Sequence, residues 1–160
     1  MNPVLLILGF LLTSILAGIL GACAMIGVMH LITQAEWAKA NMLVALGSLI
    51  TRSRENAHRA GIIAHLVAAV IFASLYNLAM MQFGLTHMPG ALFTGAFLGV
   101  LHGIIMSLAL VWVVCESHPL EEFQSASFAV GVAHLAGHVA YGAVVGLVIG
   151  ILSTIFGAAL

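Results

Sequence analysis

The sequence predicts an all-α integral membrane protein: four transmembrane helices in a compact bundle, with one interfacial amphipathic helix after the first span. Three observations carry that reading. Of the 160 residues, 63% are hydrophobic and 6% are charged, with a mean hydropathy of +1.23, more apolar surface than a soluble domain of this size needs. Four apolar runs each reach the roughly 20 residues that a helix needs to cross about 30 Å of hydrocarbon. The charged residues lie between the runs or at their edges. A net charge of −1 gives no basis for a nucleic-acid surface. The chain reads as a single transmembrane domain over residues 1–160.

The first run covers about 3–31. It lacks a Lys/Arg-bearing leader segment and exceeds the roughly 7–15 apolar residues of a signal peptide, so it is expected to be a span. Backbone groups in lipid must find partners within their own segment, which makes these runs helices. The next stretch, about 34–51, is too short to span. Met42, Leu43, Leu46, Leu49 and Ile50 fall on one helical face there, with Asn41 and Ser48 pointing elsewhere, which suits a helix lying in the interface. The other reading is a plain extension of the first span. The remaining spans are expected at about 57–80, 89–115 and 125–156.

Charge placement sets the expected orientation. Lys39, Arg52, Arg54 and Arg59 belong to the first connection or its edge, and Glu36, Glu55, Glu116, Glu121 and Glu122 to the first and third. The second connection, MQFGLTHMPG, carries no formal charge. The positive-inside rule then places the first and third connections in the cytoplasm and both termini outside.

Lipid supplies no hydrophobic drive between helices, so close backbone contact has to hold them together. Gly95, Gly99 and Gly103 recur at four-residue spacing in the third span, and Gly142, Gly146 and Gly150 in the fourth. Ser14, Gly18 and Ala22 repeat the rhythm in the first. These stripes read as packing surface. Cys23 and Cys115 lack Cys-x-x-Cys spacing and read as small packing residues.

Eight histidines, nearly as many as the nine charged residues, are the unusual feature. Counting from the cytoplasmic side at about 1.5 Å per residue, His65 and His134 both lie roughly 12 Å deep, and His102 and His138 roughly 20 Å. His134, His138, Tyr141 and Val145 share one helical stripe, as do His58, His65 and Tyr76. Ionisable residues within spans face the bundle interior or a watery cavity and are functional candidates. Four at one level on three helices point to a common site. His30 and His58 read as interface residues, and His87 and His118 as solvated residues of connections.

Histidine is a ligand for haem iron and for copper, iron or zinc. A haem b needs two axial imidazoles from facing helices, with small residues making room for the ring. His65 with His134 meets that condition, with Gly61, Gly131 and Gly137 nearby, and His102 with His138 is the alternative pair. The two levels are too close for more than one haem. A metal site built from His65, His102, His134 and His138 competes. No carboxylate lies mid-span, which disfavours a carboxylate-bridged di-iron centre. Two other uses stay open: histidines bonded to one another, Tyr76, Tyr141, Ser107 or water, and a proton or small-solute pathway, which would need oligomers.

The chain resembles a family of small four-span bacterial inner-membrane proteins of unknown function, with an interfacial helix after the first span. The resemblance is carried by MNPVLLILGFLLTSILAGIL, AHLVAAVIFASLY, GALFTGAFLGVLHG and AHLAGHVAYGAVVGLVIG. The family's apolar–His–apolar motif is matched at His65 and His134, and its aromatic–Gly continuation at Tyr141 and Gly142; His102 and His138 are outside the match. The resemblance implies a fold and a membrane location without an activity.

The functions in view are therefore a cofactor-holding membrane protein, such as an electron-transfer or accessory subunit, a structural or assembly subunit, and a pathway protein. Partners are expected to be the lipid bilayer and other membrane subunits or further copies of the chain. An enzyme has least support. There is no Ser–His–Asp arrangement and no phosphate loop, and a single His-x-x-x-His falls short of the clustered histidine motifs of membrane hydroxylases.

Overall fold

A computed structural model describes residues 3–38, 41–109, 114–125 and 127–156. Its order is α1 (Pro3–Gln34), α2 (Met42–Thr51), α3 (Ala57–Gln82), α4 (Gly90–Ala109), a three-residue turn α5 (Cys115–Ser117), a 3-10 turn at Glu121–Phe123, and α6 (Phe128–Phe156). Helices α1, α3, α4 and α6 are long and apolar enough to cross a membrane. The 20 residues of α4 extend about 30 Å, the thickness of the hydrocarbon itself. Lys39 lies outside the described residues, as do residues 110–113 of the expected third span.

Local chemistry sets the ends. Pro3 opens α1, where its missing N–H would be unpaired anyway. Arg52 closes α2 in the left-handed region at φ 53° and donates its N–H to the Ser48 carbonyl. Ser127 caps α6: the Val130 N–H donates to its Oγ at 3.4 Å. The helix after the first span is shorter than expected, since α1 continues to Gln34 and α2 begins at Met42.

Three of the four sides of the bundle are well packed: α1 on α3, α1 on α6, and α4 on α6. The glycine stripes make these sides, as expected. Gly95 and Gly99 meet Gly142 and Gly146 backbone to backbone, and Gly18 meets the backbone of Ala69 and Val70. Tyr141 lies over Gly21, where a Cβ would sit 2.8 Å from the ring. Asn77, buried in α3, donates to Ser14 Oγ at 3.1 Å and ties α3 to α1. The fourth side differs: α3 and α4 scarcely touch.

Helix α2 packs along α3, with Gly47 against the Ala57 carbonyl and Gly61 against the Leu43 carbonyl. This corrects the expected face. Ser48, expected to point away, is fully buried, whereas Ile50 is 61% exposed. The glycine contact decides the rotation, because only that side of α2 lets the two backbones approach. Arg54 and Glu122 form an ion pair that joins the first and third connections at one end of the bundle.

Candidate functional site

Inside the bundle a cavity of about 690 Å³ collects the four mid-span histidines, within the range of about 300–1,000 Å³ that holds small molecules and cofactors. His65 comes from α3, His102 from α4, and His134 and His138 from α6, with Met25 of α1 and Tyr141 of α6 beside them. Toward the charged end, Leu46 and Leu49 of α2 and Phe123 of the third connection close over it. Most of the lining is apolar.

The α6 rings are oriented by their own helix. His134 Nδ1 lies 2.9 Å from the Val130 carbonyl and His138 Nδ1 2.7 Å from the His134 carbonyl. A carbonyl only accepts, so each Nδ1 carries the hydrogen, and in an uncharged imidazole Nε2 is left with a bare lone pair. No protein group meets it at His134: the Nε2 atoms of His65, His102 and His134 are all buried without a hydrogen-bond partner. His65 sits against the Ala22 carbonyl of α1. An unsatisfied buried polar group costs roughly 1–3 kcal/mol, so three in one cavity call for a partner.

His102 is placed differently. Half-buried, it stacks on Phe72 at a centroid distance of 4.0 Å, with Nδ1 3.3 Å from the Tyr76 hydroxyl. Its ring centre lies 4.6 Å from that of His138. Two axial imidazoles on one iron need ring centres about 6 Å apart, given metal–nitrogen bonds of about 2.0–2.1 Å. The alternative haem pair, His102 with His138, is therefore too close to admit a porphyrin between its rings.

Several expectations change at this level. Among the described residues no three or more His, Cys, Asp or Glu side chains are placed to hold one metal ion. The four-histidine metal site is not assembled, because His134 and His138 are drawn to their own helix's carbonyls and His102 is held by Tyr76 and Phe72. Two of the three glycines expected to make room for a ring are occupied instead. Gly61 backs onto α2 and Gly137 onto Met25 and Met29, while a Cβ at Gly131 would meet open space. Ser107 donates to the Gly131 carbonyl at 2.9 Å rather than to a histidine, and Tyr141 to the Ala69 carbonyl at 2.6 Å.

The largest correction concerns His118, expected in solvent and found only 2% exposed. The Leu120 N–H donates to its Nδ1 at 3.1 Å. Nε2 then carries the hydrogen and donates to the Ala45 carbonyl of α2, also at 3.1 Å. Ser48 Oγ lies 3.5 Å from Nε2 but donates to the Val44 carbonyl. A buried Nε2–H cannot act as a base toward that serine, so the pair is a structural clasp. The sequence held a signal for it: Pro119 confines His118 to extended backbone, observed at φ −65° and ψ 133°, which turns the ring back into the protein. His30, His58 and His87 are exposed.

No family model, curated protein or solved structure matches the chain.

Proposed function

We propose that this is a bacterial inner-membrane protein that holds a haem b in the histidine-lined cavity, with His65 and His134 as axial ligands, and serves as an electron-transfer or accessory subunit. The observation that carries the proposal is the set of buried, unpartnered Nε2 atoms lining one cavity. The residues fit the group on donor chemistry. His134 presents a lone pair with its other nitrogen tied to a carbonyl, the arrangement by which ligating histidines are oriented. His65 and His134 are 8% and 5% exposed, on different helices. When bound, the haem would supply one-electron redox chemistry. The chain's own part is to fix the two rings, exclude water with Met25, Phe72 and Tyr141, and hold the site within the bilayer. Other membrane subunits, or further copies of the chain, would exchange the electrons. The bacterial location rests on the family resemblance, and termini on the outer side on the basic first connection.

The test is spectroscopic. Protein purified from haem-replete membranes is expected to show a Soret band and one iron per chain. Both are expected to vanish in His65→Phe and His134→Phe while helicity persists. Absence of both signals from the parent protein overturns the proposal. A second reading, a structural subunit, is favoured by the contacts of His102 with Phe72, Tyr76 and His138, which hold the bundle without a ligand. It expects the two Phe variants to change nothing in any assembly the chain joins.

A further inference from the structure

The four sides of the bundle are unequal, and the cavity lies behind the weakest. Helices α3 and α4 meet through side chains, chiefly Phe72 and Tyr76 against His102, without the backbone contacts that join α4 to α6. Ala68 and Phe72 on one wall of this gap, and Met106 and Ala109 on the other, line the same cavity as the histidines. None of the four is buried, and Met106 is 39% exposed. The surface around them is apolar: Val67, Ile71, Leu101 and Ile105 are 55%, 54%, 43% and 64% exposed. In a helix of a membrane bundle such side chains face hydrocarbon. The opening therefore gives onto lipid.

The charged end of the cavity is covered. Helix α2 is fixed to α3 by the Gly47–Gly61 contact. The third connection is clasped to α2 by His118, whose carbonyl also accepts from Gln124 Nε2 at 3.0 Å, and Arg54 pairs with Glu122 across the two connections.

We propose that the cavity is filled sideways from the bilayer, between α3 and α4. Its ligand is a lipid-soluble molecule with one centre that accepts an electron pair from imidazole nitrogen and an apolar body that extends into the gap. Two features set this class. The lone pair at His134 Nε2, on a side chain 95% buried by the same measure that leaves it 5% exposed, asks for a metal centre or a hydroxyl hydrogen. The apolar walls from Ala68 to Ala109 ask for hydrocarbon or a ring edge. The proposal rests on the cavity being a ligand site, as above, but its route holds for haem and for a phenol or quinol alike.

The experiment uses the full chain in phosphatidylcholine vesicles, photolabelled with a lipid-soluble aryl diazirine and, separately, with a charged water-soluble one. The lipid-soluble reagent is expected to label the buried α6 segment His134–Tyr141 as well as the lipid-facing side chains. Ala68→Trp, and independently Ala109→Trp from the opposite wall, are expected to abolish the α6 labelling while that of Val67 and Ile71 persists. Labelling confined to lipid-facing positions overturns the route, as does α6 labelling by the charged reagent or insensitivity to both tryptophans. Competition separates the sources. Protection by hemin supports a metal-centred ligand, and protection by a long-chain quinol alone supports a hydroxyl. A Soret band without α6 labelling sinks the lateral route and leaves the haem reading standing, whereas labelling without a Soret band does the reverse.

Discussion

Replacing Gly142 by alanine tests the account of how α4 and α6 hold together. A Cβ at that position would stand 2.8 Å from Gly99 Cα and 2.9 Å from Gly99 N, and closer still to the Gly95 carbonyl oxygen. Ordinary contact begins at 3.4 Å, so the helices must part by at least 3.4 − 2.8 = 0.6 Å at this point. A gap of about 0.5–1 Å forfeits a quarter to a half of each contact along the seam, and the obstructing atoms are backbone, which no rotamer change can move aside. Overpacking of this kind costs about 1–3 kcal/mol. Gly27 is the control, since a Cβ there meets nothing within 4 Å; Gly27→Ala should gain about 0.8–1.0 kcal/mol of helix propensity. The two variants are thus expected to differ by about 2–4 kcal/mol, roughly 30- to 800-fold in the unfolding equilibrium. Titration with sodium dodecyl sulfate in mixed micelles, followed by circular dichroism, reads that difference. Equal midpoints for Gly142→Ala and Gly27→Ala would refute the backbone-contact account.

Other expectations follow from single contacts. His118→Ala removes bonds to Ala45 and Leu120 and should cost about 1–3 kcal/mol at 0.5–1.5 per bond; His58→Ala, at an exposed position, should stay within about 0.5 kcal/mol in the same titration. A double-mutant cycle on Asn77→Ala and Ser14→Ala should return a coupling of about 0.6 kcal/mol, and certainly no more than about 1.7, the span measured for hydrogen bonds between membrane helices. Glu122→Gln breaks an ion pair whose side chains are 65% and 43% exposed, so a stability change above about 1 kcal/mol would contradict the solvated character assigned to it.

The fold was legible because its determinants are periodic. Run length located the spans, and glycine spacing identified the stripes that now face one another, since four-residue recurrence fixes a helical face whatever the partner. The shared stripe of His134, His138, Tyr141 and Val145 is buried throughout for the same reason. What escaped depended on pairing between segments distant in sequence. Ser48 looked outward beside Met42 and Leu46, yet Gly47 turns that side of α2 onto α3. His118 looked solvated in a charged connection, yet its partners, Ala45 and Ser48, are some seventy residues earlier. Depth counting brought His102 and His138 to one level. It could not show that their rings would lie 4.6 Å apart, a distance set by the angle at which α4 and α6 cross. Asn77 was within reach, because an amide inside an apolar helix signals an interhelical bond, here to Ser14.

The side-chain bridge between α3 and α4 has a mechanical consequence. Taken in order of contact, α3, α1, α6 and α4 make a curved row whose two ends face each other. Spreading those ends disturbs only the ring contacts of Phe72, Tyr76, His102 and the nearby aromatic groups, while every glycine seam stays shut. The molecule can thus widen like a clip around guests of different thickness, its spine unbent, with the imidazoles of α6 staying in place at the back.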